Sequence, residues 1–310
     1  DAGGTSAIVV GTGADVDEQQ YHFVDLATGD ASLIHTAGFP ENGYSGGPTV
    51  LLTRPTGANV VIYRSDGAEE WLERRSPSGS LLATVFSQPY VDSTSSLRWM
   101  YGYDGTSLIV SHHGGIAEVS NTGDQAGELW VPQDHRCDPV RWWDADTFLA
   151  ACYGRGPGSA PVDEFGNPHT YYGRLWLLET DGSAGVAMTE YPATSPFVVD
   201  FGYHDAWPAA GETYVQWSGD CGAAAVHVLQ SDGTGVPLAI DIPASIVADG
   251  VAMIDVVDGE VALHGWQGCG GDVGVLFATD LSGTFTGELV PVIGDARSVI
   301  GVVGLATVYP

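Results

Sequence analysis

The chain has 310 residues and no lysine. Its ten basic residues are all arginine, set against 39 Asp and Glu, for a formal net charge of −29. A surface of that sign repels phosphate backbones and anionic headgroups, so neither nucleic acid nor an acidic membrane face is an expected partner. Divalent cations, cationic peptides, neutral glycans and other proteins stay open. There is also no run of about 18 uncharged apolar residues, the length a membrane-spanning helix needs. The most apolar stretch, "SVIGVVGLATVYP" at residues 298–310, is too short. Only four cysteines occur and none form a C-x-x-C pair, which argues against a four-cysteine zinc site. No P-loop pattern is present, and helical periodicity is nearly absent.

What is present is a recurring turn. "FVDLATGD" at residues 23–30 reads as a strand running into a Thr-Gly-Asp corner, and comparable segments follow: "ERRSPSGS", "EVSNTGDQ", "LLETDGSA", "VLQSDGTG" and "ATDLSGTF". The turn glycines are Gly29, Gly79, Gly123, Gly182, Gly233 and Gly283, about one per 50 residues. Glycine suits a tight hairpin corner because positive φ costs it little. Two further strand-like runs precede most of these turns, as in "VRWWDADTFLAACYG" and "AMIDVVDGEVALHGWQG". Each unit is therefore expected to be a four-stranded antiparallel meander. Hydrophobic residues make up 44% of the chain, enough for a sizeable core.

Six such meanders set radially make a six-bladed β-propeller, all-β and a single domain over residues 1–310. The first unit lacks its first strand, since "AIVVGTG" and "QQYHFVDL" read as its second and third. The spare run "GVVGLATVYP" is expected to complete that blade and close the ring. A seven-bladed ring or a two-domain protein is the alternative. The pattern resembles the six-bladed TolB-like and WD40-like propellers, whose third strand enters a D-x-x-T-G turn. "VDLATGD" matches that turn, whereas "RSPSGS" and "ATDLSGT" depart from it. The resemblance implies a fold, and propellers host binding modules and enzymes alike.

Cys137 and Cys152 lie symmetrically about the Asp144-Ala145 turn of the fourth unit. Cys221 and Cys269 follow the second strands of adjacent units. The expected bridges are Cys137–Cys152 and Cys221–Cys269, one of three connectivities. A directly opposed pair in an unbroken ladder is an awkward disulfide site, and a bulge near Pro139, which cannot donate to the ladder, would relieve it. Four cysteines fit an exported protein. A secreted or cell-surface location is expected, with a leader or lipid-anchor segment ahead of Asp1.

Candidate chemistry gathers in the fourth unit and its neighbour. Residues 154–173, "GRGPGSAPVDEFGNPHTYYG", form a long insertion offering His169, Tyr171 and Tyr172. His112 and His113 end a second strand, and "QDHRC" adds His135 and Arg136. The four histidines are candidate metal ligands or general bases, although no H-x-x-x-H spacing fixes a ligand set. Arg98, Asp138, Arg141, Asp200 and Asp255 fall on first strands, where a cation or carboxylate could bind and where mutual pairing is the simpler expectation. Asp15, Asp17 and Glu18 in "GADVDEQQ" give an incomplete calcium loop. Trp217 and Trp266 end equivalent second strands, as rim contacts or as packing between units.

Two functional expectations follow. The first is an exported, monomeric binding or interaction module for a protein, peptide or glycan. The second is a metal-assisted hydrolase or lyase on the histidine-rich rim of units three and four, with calcium or a transition metal as cofactor. A purely structural domain is a third reading.

Overall fold

The structure, a computed structural model, describes residues 6–12, 18–25, 28, 30–38, 50–52, 60–65, 68–76, 78–90, 97–154, 172–190, 201–218, 224–244, 246, 248, 250–257, 259–267 and 271–289. All regular structure among them is β-strand. The chain divides into two compact units, Asp1–Glu128 with Val292–Pro310, and Leu129–Pro291.

The first unit holds three sheets. The strands β1 (Ser6–Thr12), β2 (Glu18–Asp25) and β3 (Ala31–Gly38) pair in chain order, as do β4 (Val50–Leu52), β5 (Val60–Ser65), β6 (Glu69–Arg75) and β7 (Leu81–Pro89). So do β8 (Arg98–Tyr101), β9 (Ser107–His112), β10 (Gly115–Ser120) and β11 (Gln125–Leu129). Period-two alternation builds the core between the last two sheets. Val61 and Tyr63 on β5, Leu108 and Val110 on β9, and Ala117 and Val119 on β10 all point into one cluster.

The second unit repeats the meander. It contains β12 (His135–Trp142), β13 (Thr147–Gly154), β14 (Tyr172–Glu179) and β15 (Val186–Ala187), then β16 (Phe201–Ala209), β17 (Glu212–Ser218), β18 (Ala224–Leu229) and β19 (Gly235–Pro237). Last come β20 (Gly250–Val257), β21 (Glu260–Gln267), β22 (Gly271–Asp280) and β23 (Phe285–Leu289). The first two meanders are not separate sheets, as the repeat alone would suggest. Strands β14 and β16 pair in parallel over Tyr172↔Phe201 and Gly173↔Gly202, joining them into one eight-stranded sheet. The approach is close enough that a side chain on Gly202 would collide with the Gly173 backbone.

The described turn glycines bear out the repeat. Gly79, Gly123, Gly182, Gly233 and Gly283 all have φ between 79° and 96°. In the second unit the turns of the second and third meanders also tie each to the meander before it. Gly233 O accepts the Glu190 amide at 2.7 Å and Gly283 O accepts the Asp241 amide at 2.8 Å. The Asp280 carboxylate accepts the amides of Ser282 (2.8 Å) and Thr284 (3.0 Å), and Asp232 accepts that of Thr234 (3.0 Å). Hydrogen bonds from these turns hold both carboxyls below the usual aspartate range.

Cys137 and Cys152 are directly opposed in the β12–β13 ladder and form a disulfide. The register shifts between Pro139 and Arg141, where a bulge was expected. Closing a loop of 15 residues, the bridge is expected to contribute about 3 kcal/mol. The Cys137→Ser/Cys152→Ser double variant should lose that much in urea denaturation. Cys221, Cys269 and the run at residues 301–310 lie outside the described residues, so that second bridge and the closing strand do too. Non-reducing peptide mapping reads both disulfides.

Candidate functional site

Two constellations stand out, one in each unit. In the first unit, β6 reads "EEWLERR", and alternation puts Glu70 on the same buried face as Leu72. A carboxylate at a core position is costly unless it is hydrogen-bonded. Glu70 is fully buried and accepts three donors. These are the Tyr63 hydroxyl (2.9 Å), the Leu97 amide (3.3 Å) and Gln88 Nε2, from the residue directly opposite on β7.

Above it sits the two-residue hairpin loop His113-Gly114, closed by the His112↔Gly115 pair. His112 Nδ1 accepts the Gly114 amide at 3.0 Å, so its proton lies on Nε2, which meets Glu128 Oε2 at 3.1 Å. Both of its ring nitrogens are thus engaged. His113 Nε2 donates to the Pro89 carbonyl at 2.9 Å and lies 4.0 Å from Glu70 Oε1, while its amide donates to Gln88 Oε1 at 3.1 Å.

In the second unit, three first strands share one irregularity. The register shifts at Pro139/Arg141 in β12, Tyr203/Asp205 in β16 and Met253/Asp255 in β20. A bulge re-aims the side chain that follows it, and here each is followed by a charge. Arg141 donates through Nε and a terminal nitrogen to the two oxygens of Asp205, both at 2.7 Å, with its guanidinium 3.9 Å from the centre of the Trp207 ring. Asp205 and Asp255 each accept the following residue's amide at 2.8 Å. Asp255 is 2% exposed, and its Oδ2 makes no hydrogen bond of ordinary length among the described residues, although the Trp207 indole and the Arg141 guanidinium both interact with the carboxylate. Burial pushes the Asp255 carboxyl up. Burial also pushes Asp205 up, and Arg141 pulls it partway back.

Aromatic groups surround these strands. Tyr153 OH lies 2.9 Å from His204 Nδ1, and His204 sits inside the β16 bulge. Trp217 stacks on His227 at 5.6 Å, and Tyr203 meets the same imidazole edge-on at 5.9 Å. Burial lowers the His227 pKa.

The remaining predicted residues are placed as follows. His135 begins β12, with Nδ1 2.7 Å from the Gln133 carbonyl. Arg136 lies 3.5 Å from Asp138. Arg98 is on β8, Glu18 on β2, Tyr172 on β14 and Trp266 on β21. Asp15, Asp17, His169, Tyr171 and Asp200 lie outside the described residues. Among the described residues, no group of three or more His, Cys, Asp or Glu side chains is placed to hold a metal ion. Sequence reasoning passed over Glu70, Gln88 and Asp205. It also took a G-x-S-x-G elbow to be absent, whereas "GYSGG" at residues 43–47 has that spacing; the segment lies outside the described residues.

No protein-family model and no curated protein sequence matches the chain. Similarity appears among solved structures. The β-propeller domain of the Trilobed protease from Pyrococcus furiosus superimposes with a TM-score of 0.50 at 13% identity, covering 96% of this chain and 80% of that one. The fold is a β-propeller. A protein of unknown function from Bacteroides caccae is similar at a TM-score of 0.47 and 13% identity, covering 92% and 93%. A prolyl endopeptidase is similar at 0.49 and 10%, with 91% of this propeller spanning 42% of that chain.

Proposed function

We propose that the chain is an exported binding module, a six-bladed propeller closed by its C-terminal strand, whose ligand is a peptide or protein segment carrying a positive charge. The observation that carries this reading is the charge balance on the first strands of the second unit. Among the described residues, two carboxylates, Asp205 and Asp255, face one guanidinium, which is bonded to Asp205. Among the described residues one carboxylate is left in excess, on the buried Asp255, and Arg141 and Asp205 beside it retain 15% and 21% side-chain exposure. A ligand ammonium or guanidinium balances that charge, and the overall charge of −29 draws such a ligand in. The Cys137–Cys152 disulfide supports an oxidising compartment.

Titration calorimetry of a short arginine- and lysine-containing peptide tests the reading. Asp255→Asn is expected to weaken binding about tenfold, or 1.4 kcal/mol, and added salt should weaken the wild type further. Equal affinity for both proteins would remove this cluster from the ligand site.

A further inference from the structure

The Glu70–His113 pair of the first unit is independent of the cluster just described, and it has the parts of a proton-transfer centre. Three observations converge on it. The first is the tautomer. The Pro89 carbonyl can only accept, so the 2.9 Å contact puts the His113 ring proton on Nε2 and leaves a lone pair on Nδ1. No hydrogen bond reaches Nδ1 among the described residues, and the side chain is 31% exposed. The second is the counter-charge. A fully buried carboxylate lies 4.0 Å behind Nε2, and apart from His113 its hydrogen-bond and ion-pair partners are neutral donors. The third is rigidity. Gln88 spans the two, donating to Glu70 and accepting the His113 amide, while a two-residue turn fixes the backbone. His112 next door is the internal contrast, with both nitrogens engaged.

We propose that His113 is a general base that activates water or a ligand hydroxyl through Nδ1, with Glu70 as the positioning residue that compensates the imidazolium formed. The buried negative charge behind the ring, and the chain's overall charge, disfavour an anionic ligand. A cationic one would be repelled once the ring is protonated. The fitting ligand is therefore neutral and hydroxyl-bearing. Toward an activated ester the step is water-mediated. Nδ1 takes a proton from water as the water oxygen bonds to the acyl carbon, the bond to the leaving oxygen breaks, and the leaving group departs as its anion. The imidazolium then returns its proton to solvent.

Hydrolysis of p-nitrophenyl acetate by the purified chain is the first test. His113→Gln is expected to remove about tenfold of the protein-dependent rate, and the wild-type reaction should run at least about twofold slower in D2O, as proton transfer in the rate-limiting step requires. Glu70→Gln should lower the rate severalfold while the isotope effect persists. A second measurement needs no variant. Diethyl pyrocarbonate transfers an ethoxycarbonyl group to an open ring nitrogen and releases ethanol and CO2. Mass spectrometry of the wild type should show His113 labelled about tenfold faster than His112. An unchanged ester rate in His113→Gln, or equal labelling of the two histidines, would overturn the proposal.

Discussion

Gly283→Ala is expected to destabilise the chain by about 3 kcal/mol, combining the strain of a side chain at positive φ with the displacement needed to seat it. At φ 89° a β-carbon on Gly283 would run into the Ala239 carbonyl, at the point where the turn accepts the Asp241 amide. Three other glycines separate the two causes. Gly211 and Gly259 have φ of 86° and 84° with nothing near the added carbon, so alanine there should cost only the conformational part, about 1–2 kcal/mol. Gly287 has open space and no positive φ. Alanine there should be close to neutral. Urea midpoints for the four variants give the comparison. Equal losses at Gly283 and Gly211 would mean that the stitch between neighbouring meanders contributes nothing.

The second large effect lies in the inner charges. Arg141→Met leaves Asp205 and Asp255 without a cation among the described residues and strips the guanidinium from the Trp207 ring. Breaking a fully buried pair typically costs about 3–5 kcal/mol, and this part-exposed pair should fall toward or below the lower end of that range. The double variant Arg141→Met/Asp205→Asn should recover a large part of that, because it no longer strands a carboxylate. A double variant as unstable as the single would assign the loss to Trp207 packing instead. Asp255 supplies the pH signature. Its folded carboxyl sits above the ordinary aspartate value of 3.8, so the folded state holds its proton more tightly than the unfolded chain. The associated stability is fully present below that ordinary value and is lost as pH rises through the folded one. Asp255→Asn removes this dependence. It should therefore be the more stable protein at neutral pH, and the wild-type deficit should shrink as pH is lowered toward 4.

The repeat was legible because hairpin corners constrain their residues: a glycine about every 50 positions, with an aspartate or serine beside it, records positive φ and a capped turn. The Cys137–Cys152 bridge and its neighbouring bulge were legible for the same local reason, symmetry about one corner and a proline in the ladder. The sites were harder to see. Arg141 and Asp255 could be placed on first strands, but Asp200 was named where Asp205 carries the role. Asp255 lies three residues before its hairpin loop and Asp205 five before its own, so alignment on the corner slides past the matching residue. Glu70 did leave a signal, a charge two residues before Leu72 on one strand face. Its value depends on Gln88, from the neighbouring strand, and His113, from a hairpin loop of the next sheet, which meet only once the sheets have packed.

The parallel pairing of β14 with β16 bears on how the second unit comes apart. Two meanders there share one continuous hydrogen-bond ladder, with Gly173 and Gly202 in backbone contact at the seam. Peeling either meander away breaks that seam, so amide protons on both sides are expected to exchange with solvent in the same opening event. Within that shared sheet the smallest self-contained segment is then the pair, residues 135 to 237, while β20–β23 forms a sheet of its own. Gaining or losing either of these two meanders alone would cut through the ladder, whereas gaining or losing the two together would not.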